Sequence, residues 1–204
     1  MLGLGNILTK GGALLGFPNK YSFNFDGSND YLSCGLMDIT VHTNATMACW
    51  VKLDDFDATQ FFGGSHNSKR WYFGITDGKK PYFGVADAYK SNGSALTINA
   101  GEWNHFALVA DGGTATFYMN GIAKDTDTYT QASATNPDNP FLIGARNDGG
   151  TGAVSAVSPL DGCIDEFAIW NSALSSSDIT SVYNNGKIVD LSKSASYGVD
   201  RTAN

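Results

Sequence analysis

The sequence predicts an all-β fold, an antiparallel two-sheet jelly-roll sandwich with one short C-terminal helix. Two observations carry this reading. The run Trp103-Asn104-His105-Phe106-Ala107-Leu108-Val109-Ala110-Asp111-Gly112-Gly113-Thr114-Ala115-Thr116-Phe117-Tyr118-Met119-Asn120-Gly121 holds two apolar-rich segments joined at Asp111-Gly112-Gly113 and closed at Asn120-Gly121. Asp-Gly and Asn-Gly supply the positive φ that tight hairpins require, so the run reads as part of a three-stranded antiparallel meander. The second observation is the acidic inventory: eighteen Asp against two Glu, Glu102 and Glu166. Asp favours turns and Glu favours helices, so the bias itself indicates strands linked by polar loops. At 204 residues, with 24 Gly and only 16% charged residues, the chain suits one large β domain.

The elements follow in order. Residues 1–20 read as a Gly/Leu-rich arm. Glycines at 3, 5, 11, 12 and 16 would break a helix, while Leu2, Leu4, Ile7, Leu8, Leu14 and Leu15 need a surface to lie on. The domain proper spans 21–190. Tyr21, Phe23 and Phe25 alternate with Ser22 and Asn24 as a half-buried strand, turned by Asp26-Gly27. Strands are expected at 46–53, 71–76, 81–86 and 95–99, the middle two joined by the turn Asp77-Gly78-Lys79-Lys80. After the meander, 132–140 is a polar loop with two prolines, and the last strands are 141–145 and 163–170. Ser175 is a helix N-cap with Asp178 three positions on, Ile179, Val182 and Tyr183 form an apolar stripe, and Gly186 is the C′ residue. A polar tail occupies 191–204.

Composition excludes several partners. The net charge is −7, and the basic pairs Lys69-Arg70 and Lys79-Lys80 fall at opposite ends of the middle hairpin, so nucleic acid is not an expected partner. No apolar run reaches the eighteen or so residues of a membrane span. The first sixteen residues lack a basic n-region and a small-x-small site, so a secretory signal is not expected. Cys34, Cys49 and Cys163 have no metal-like spacing; Cys49 and Cys163 read as small buried strand residues, with a single disulfide as the alternative.

Four segments, "YSFNFDGSNDYL" at 21–32, "ATMACWVKLDD" at 45–55, the meander, and "LDGCIDEFAIWNSALSSSDITSVYNNG" at 160–186, occur in an order that resembles the laminin-G-like branch of the concanavalin A-like lectin/glucanase superfamily. The resemblance covers about residues 21–190 and implies the sandwich fold. It says less about function, because this fold hosts lectins, hydrolases and adhesion modules. The superfamily's glucanases carry Glu-x-Asp-x-x-Glu on one strand, whereas here the two Glu are 64 positions apart. Asp165-Glu166 is the tempting pair, but strand alternation is expected to send the two to opposite faces. His42, His66 and His105 have no evident nucleophile partner. No catalytic residue is expected.

The resemblance also raises calcium, since relatives hold it near the rim of the sandwich. Asp26, Asn29 and Asp30 cluster oxygens on one turn, and Asp165 would approach them if the first and last strands pair. The plainer reading is an Asx turn needing no cofactor. For glycan stacking the candidates are Trp71, Tyr72, Tyr82 and Tyr89 of the middle hairpin region. Alternation puts Trp71 and Phe73 on one face, Tyr72 and Gly74 on the other, with a shallow shelf beside Gly74.

The opening "M-L-G-L-G-N-x-L-T-x-G-G" resembles virion proteins of tailed phages. It implies a complete, non-enzymatic structural or adhesion module in a virion, decorating the head or associated with the tail. The arm would dock on other virion proteins or self-associate, and surface glycans would be a further partner. The alternative is a lectin-like, carbohydrate-binding module of a bacterial surface protein, extracellular or on the cell surface. A glycan hydrolase is the third class.

Overall fold

The computed structural model describes residues 21–37, 44–66, 70–130 and 139–184. Among these, two antiparallel sheets face each other. The first sheet runs in the order β1 (Phe23–Asp26), β14 (Asp161–Trp170), β3 (Asn44–Leu53), β8 (Trp103–Asp111), β9 (Thr114–Met119), β10 (Ile122–Thr128). The expected meander is β8 to β10. The second sheet runs β13 (Ala156–Val157), β12 (Arg146–Asn147), β4 (Gln60–Ser65), β5 (Arg70–Ile75), β6 (Pro81–Ala86), β7 (Ala88–Lys90). There β11 (Leu142–Ile143) also pairs with β4 and carries β2 (Leu32–Ser33) on its far side.

Alternation fills the space between the sheets. Met47, Cys49 and Val51 of β3 and Phe106 and Leu108 of β8 meet Phe62, Trp71, Phe73 and Phe83 of the second sheet. The outer face of the first sheet is small at Ala48 and Ala107, which lets α1 (Ser176–Tyr183) pack there through Ile179 and Val182. Ser175 and Asp178 form the expected capping box. Upstream, the buried Thr46 hydroxyl donates to the Ser172 carbonyl and accepts from the Leu174 amide, both at 2.9 Å, pinning the helix approach to β3. All three cysteines are free, with Cys49 and Cys163 buried.

Several expectations need correction. Only Phe25 of the first strand is buried; Tyr21 is 86% and Phe23 61% exposed, because β1 is an edge strand whose start overhangs the core. Residues 95–99 form no strand, although Leu96 and Ile98 are buried. That segment is held instead by the Leu96 amide on the Lys79 carbonyl and by Lys79 Nζ on the Ile98 carbonyl. Strand β4 lies between the expected strands 46–53 and 71–76, where no strand is expected from the sequence. The helix ends on Asn184 in the left-handed region, not on Gly186, and Gly186 lies outside the described residues. So do the six aliphatics of the arm, His42, most of the 132–140 loop and the 191–204 tail.

Candidate functional site

Among the described residues, the outer face of the second sheet groups the aromatic side chains of Phe61, Tyr72 and Tyr82 with Arg146. Register explains it: Tyr72 lies opposite Gly84, which lies opposite Tyr89, and Phe61 opposite Gly74, which lies opposite Tyr82. Glycine at the intervening positions leaves the rings room. A Cβ at Gly84 would stand 2.5 Å from the Tyr72 ring, so that ring lies across the bare backbone. The space over Gly84 is therefore filled by that ring and is not a shelf. Gly74 is likewise crowded by the Gln60 and Phe61 backbone at a bulge in β4.

Arg146 from β12 closes this face. Its guanidinium carbon stands 4.5 Å from the Phe61 ring centre, 4.7 Å from Tyr72 and 5.9 Å from Tyr82. Nε and Nη2 donate to the two Asp148 carboxylate oxygens at 2.7 and 2.8 Å, a paired geometry that fixes the guanidinium plane. His66 Nδ1 lies 3.4 Å from Asp148. Burial, then the nearby Arg146 charge, lowers the His66 pKa against the pull of Asp148. Burial pushes the Tyr72 phenol well up, with Tyr82 adding to the shift. Farther along, Arg70 donates to the Asp87 carbonyl at 2.8 Å and lies over the Tyr89 ring at 5.5 Å.

The loop bearing Asp148 is fixed from beneath. Asn147 is wholly buried; its amide donates to the Pro140 and Ala153 carbonyls and its oxygen accepts from the Gly149 and Ser155 amides. Asn139, also buried, donates to the Asn147 and Gly149 carbonyls. Side chains held this way lose little freedom when a ligand arrives. Polarity alone made these asparagines look like loop residues, and the Arg146 signal was missed because its partners come from distant strands.

The hairpin candidates separate. Trp71 is 1% exposed and faces the core, which removes it as a stacking platform. Tyr72 is on the outer face but 1% exposed, covered by Arg146; it supports the surface without forming it. Tyr82 is half-buried and Tyr89 is 57% exposed. The accessible part of this face is thus Tyr82, Arg146 and Tyr89, edged by His66, Asp148 and Arg70.

The calcium expectation meets a different register. β1 and β14 do pair, but Asp26 stands opposite Asp161. Asp165 is four residues farther along, about 13 Å at the usual strand rise. Asp26 Oδ1 accepts from the Ser28 amide at 2.9 Å and the Asn29 amide at 3.3 Å, the Asx-turn geometry, and these bonds lower its pKa. Asp30 Oδ2 accepts from the Asp26 amide at 3.3 Å. Among the described residues, no His, Cys, Asp and Glu group of three or more is arranged to hold a metal ion.

Asp165 and Glu166 also depart from expectation. A bulge interrupts the β14–β3 register between Asp165 and Ala168, and Glu166 sits there at φ 49°. Its amide donates to Asp165 Oδ1 at 2.8 Å. The bulge cancels the alternation, so both residues line one groove of about 280 Å³, with Tyr21, Phe23, Leu32 and Phe167 among its apolar walls. Burial, then Asp165, raises the Glu166 pKa to about 7.

Two antiparallel sheets packed face to face define a jelly-roll β-sandwich. The chain belongs to the Concanavalin A-like lectin/glucanases superfamily, whose laminin-G-like model matches residues 26–180. Among solved structures it is similar to a heptameric pentraxin from Limulus polyphemus (17% identity, TM-score 0.58, covering 78% of this chain and 80% of that one). It is similar to a protein from Bacteroides ovatus described as carbohydrate-binding (19%, TM-score 0.62), spanning 78% of this chain but under half, 45%, of that one. A third similarity is to domain 4 of an extracellular arabinanase from Geobacillus stearothermophilus, in complex with arabinotriose (20%, TM-score 0.51, 79% and 71% of the two chains). At these identities the likeness shows the fold. No curated protein matches the chain.

Proposed function

We propose that the protein is a non-enzymatic carbohydrate-binding module, and that it binds through the outer face of the second sheet. The observation that carries this is Arg146 held by Asp148 over the Phe61 and Tyr72 rings, on the same face as the half-buried Tyr82 and the exposed Tyr89. Sugar rings stack on such planar surfaces, while Asp148, His66 and Arg70 supply hydrogen-bonding groups for hydroxyls. The similarity to a domain seen with arabinotriose and to a protein described as carbohydrate-binding supports the reading. Hydrolysis needs two carboxyls facing each other across a scissile bond. Asp165 and Glu166 sit side by side on one bulge, which supports binding without turnover. The face uses no metal ligand, so calcium is not required in this reading.

The module's setting rests on sequence. The opening motif supports a place on a phage particle, at the head or tail, docked through residues 1–20. A bacterial surface lectin is the alternative, with the same face in use. A glycan array with the full chain tests the binding claim, expecting a restricted set of ligands; an array without ligands overturns it. A mass-spectrometric inventory of purified particles tests the setting.

A further inference from the structure

The chain's net charge is −7, yet the candidate face gathers two guanidinium groups. Arg146 lies over Tyr72 from β12. Arg70 stands two residues before Tyr72 on β5, so alternation sends it to the same face. The two are matched differently. Arg146 gives Nε and Nη2, one edge of its fork, to both oxygens of Asp148. The corresponding edge of Arg70 makes no hydrogen bond among the described residues, and its Nε is buried without a partner. Its Nη1 donates to the Asp87 backbone carbonyl at 2.8 Å. The Asp87 carboxylate is engaged elsewhere, accepting from the Thr130 amide at 2.9 Å. Arg70 thus pairs with no carboxylate among the described residues.

Two neighbouring groups register the resulting field. Burial leads the upward shift of the Tyr72 phenol and Tyr82 adds to it; Arg146 and then Arg70 oppose it, each more strongly than Asp148 reinforces it. At His66 burial leads the downward shift, Arg146 adds more than Asp148 takes back, and Arg70 acts on the same side. The charged side chains therefore make this face locally positive on a chain whose overall charge repels anions. Beside the unmatched edge is a stacking ring: the Arg70 guanidinium carbon lies 5.5 Å from the centre of the exposed Tyr89 ring. A sugar lying against Tyr89 brings its substituents to Arg70.

Resting on the carbohydrate reading above, we propose that this face selects acidic glycans, with the carboxylate of a sugar residue accepted by Arg70 while the sugar ring lies against Tyr89. Arg146 and Asp148 show the pairing within the chain: a planar carboxylate fits the fork of a guanidinium through two parallel hydrogen bonds. Arg146 is already committed to Asp148, so Arg70 is the group that discriminates.

A glycan array on the full chain tests it, each carboxylate-bearing glycan printed beside its neutral, carboxyl-reduced counterpart and a sulfated one. Carboxylate-bearing members are expected to bind roughly tenfold more tightly than neutral ones or better. That margin should shrink as salt rises from about 0.05 to about 0.5 M, because exposed charge pairs are screened. These two measurements use wild type alone, so they decide the class whether or not a variant folds. Arg70→Gln, checked for folding by its melting curve, should weaken binding of the acidic glycan roughly tenfold. Lys124→Gln makes the same change of net charge at an exposed site on β10 of the first sheet and should bind as wild type does. Neutral and acidic members bound alike overturn this proposal and leave the carbohydrate reading standing; an array without ligands overturns both. A preference for the sulfated members also overturns it, as does a folded Arg70→Gln that keeps wild-type affinity for the acidic glycan.

Discussion

The Arg146 guanidinium lies 4.7 Å from the centre of the Tyr72 ring, and the two residues come from strands with β4 between them. Tyr72 is covered because Arg146 lies on it, and Arg146 is held in place because Asp148 grips two of its nitrogens. One substitution should therefore change both stability and surface chemistry. Arg146→Ala is expected to cost about 1–2 kcal/mol, the range for a partly desolvated cation on aromatic rings. Arg146→Lys keeps the charge but loses the plane, and should lose carbohydrate affinity with a smaller stability change. Urea denaturation and binding of an array-identified glycan check the pair. Equal binding by Lys and Arg would remove stacking as the explanation.

His105 is 1% exposed, its Nδ1 has no hydrogen-bond partner, and its ring meets Trp50 edge-on at 5.4 Å. Burial lowers its pKa from 6.5 to about 4. The fold thus favours the neutral imidazole: its contribution is full above pH 6.5 and is lost as pH falls from there through 4. The loss should approach about 3 kcal/mol, at roughly 1.4 kcal/mol per pKa unit. Denaturation at a series of pH values should show His105→Gln with a flatter profile than wild type over that window. Parallel profiles would contradict the assignment.

Glu166 has the opposite sign. Its pKa rises from 4.5 to about 7, so the fold favours the protonated carboxyl. Stability from this group is full below pH 4.5 and is lost as pH rises through 7. Glu166→Gln should melt higher than wild type at about pH 8 and match it at about pH 4. A variant that melts lower at both values would show that Glu166 is held by contacts its neutral analogue cannot make.

The Asp26 turn gives a metal prediction. Its Oδ1 is satisfied by two backbone amides, and Asp161, not Asp165, faces it across the strand pair. Chelator and added Ca²⁺ should leave the melting temperature unchanged. A rise with Ca²⁺ that Asp26→Ala abolishes would establish a structural calcium site, since a ligand of the native state stabilises by mass action.

The legible parts of the fold were those encoded locally. Asp111-Gly112-Gly113 and Asn120-Gly121 marked the meander, and Ser175 with Asp178 marked the helix start. Alternation correctly split Trp71 and Phe73 from Tyr72, yet it could not say which face was covered, since that depends on the facing sheet. It failed at Asp165 and Glu166 because a bulge shifts the period without a glycine to announce it. The candidate site was half visible: the tyrosines lay on one hairpin, but Arg146, Asp148 and His66 reach them through pairings of distant strands. The segment 95–99 misled because buried Leu96 and Ile98 alternate as a strand does while bonding to a loop.

The central claim is that carbohydrate binds on the outer face of the second sheet. Calorimetric titration of an array-identified glycan into wild type, Tyr89→Ala and Trp103→Ala tests it most directly. Both aromatic side chains are exposed, Tyr89 at 57% beside Arg70 and Trp103 at 41% on β8 of the other sheet. Neither substitution should disturb the core. Tyr89→Ala should lose roughly 0.5–1.5 kcal/mol of binding free energy, the scale of a lost aromatic stacking contact, while Trp103→Ala binds as wild type does. Full binding by Tyr89→Ala with loss in Trp103→Ala would place the glycan on the other sheet and contradict the account.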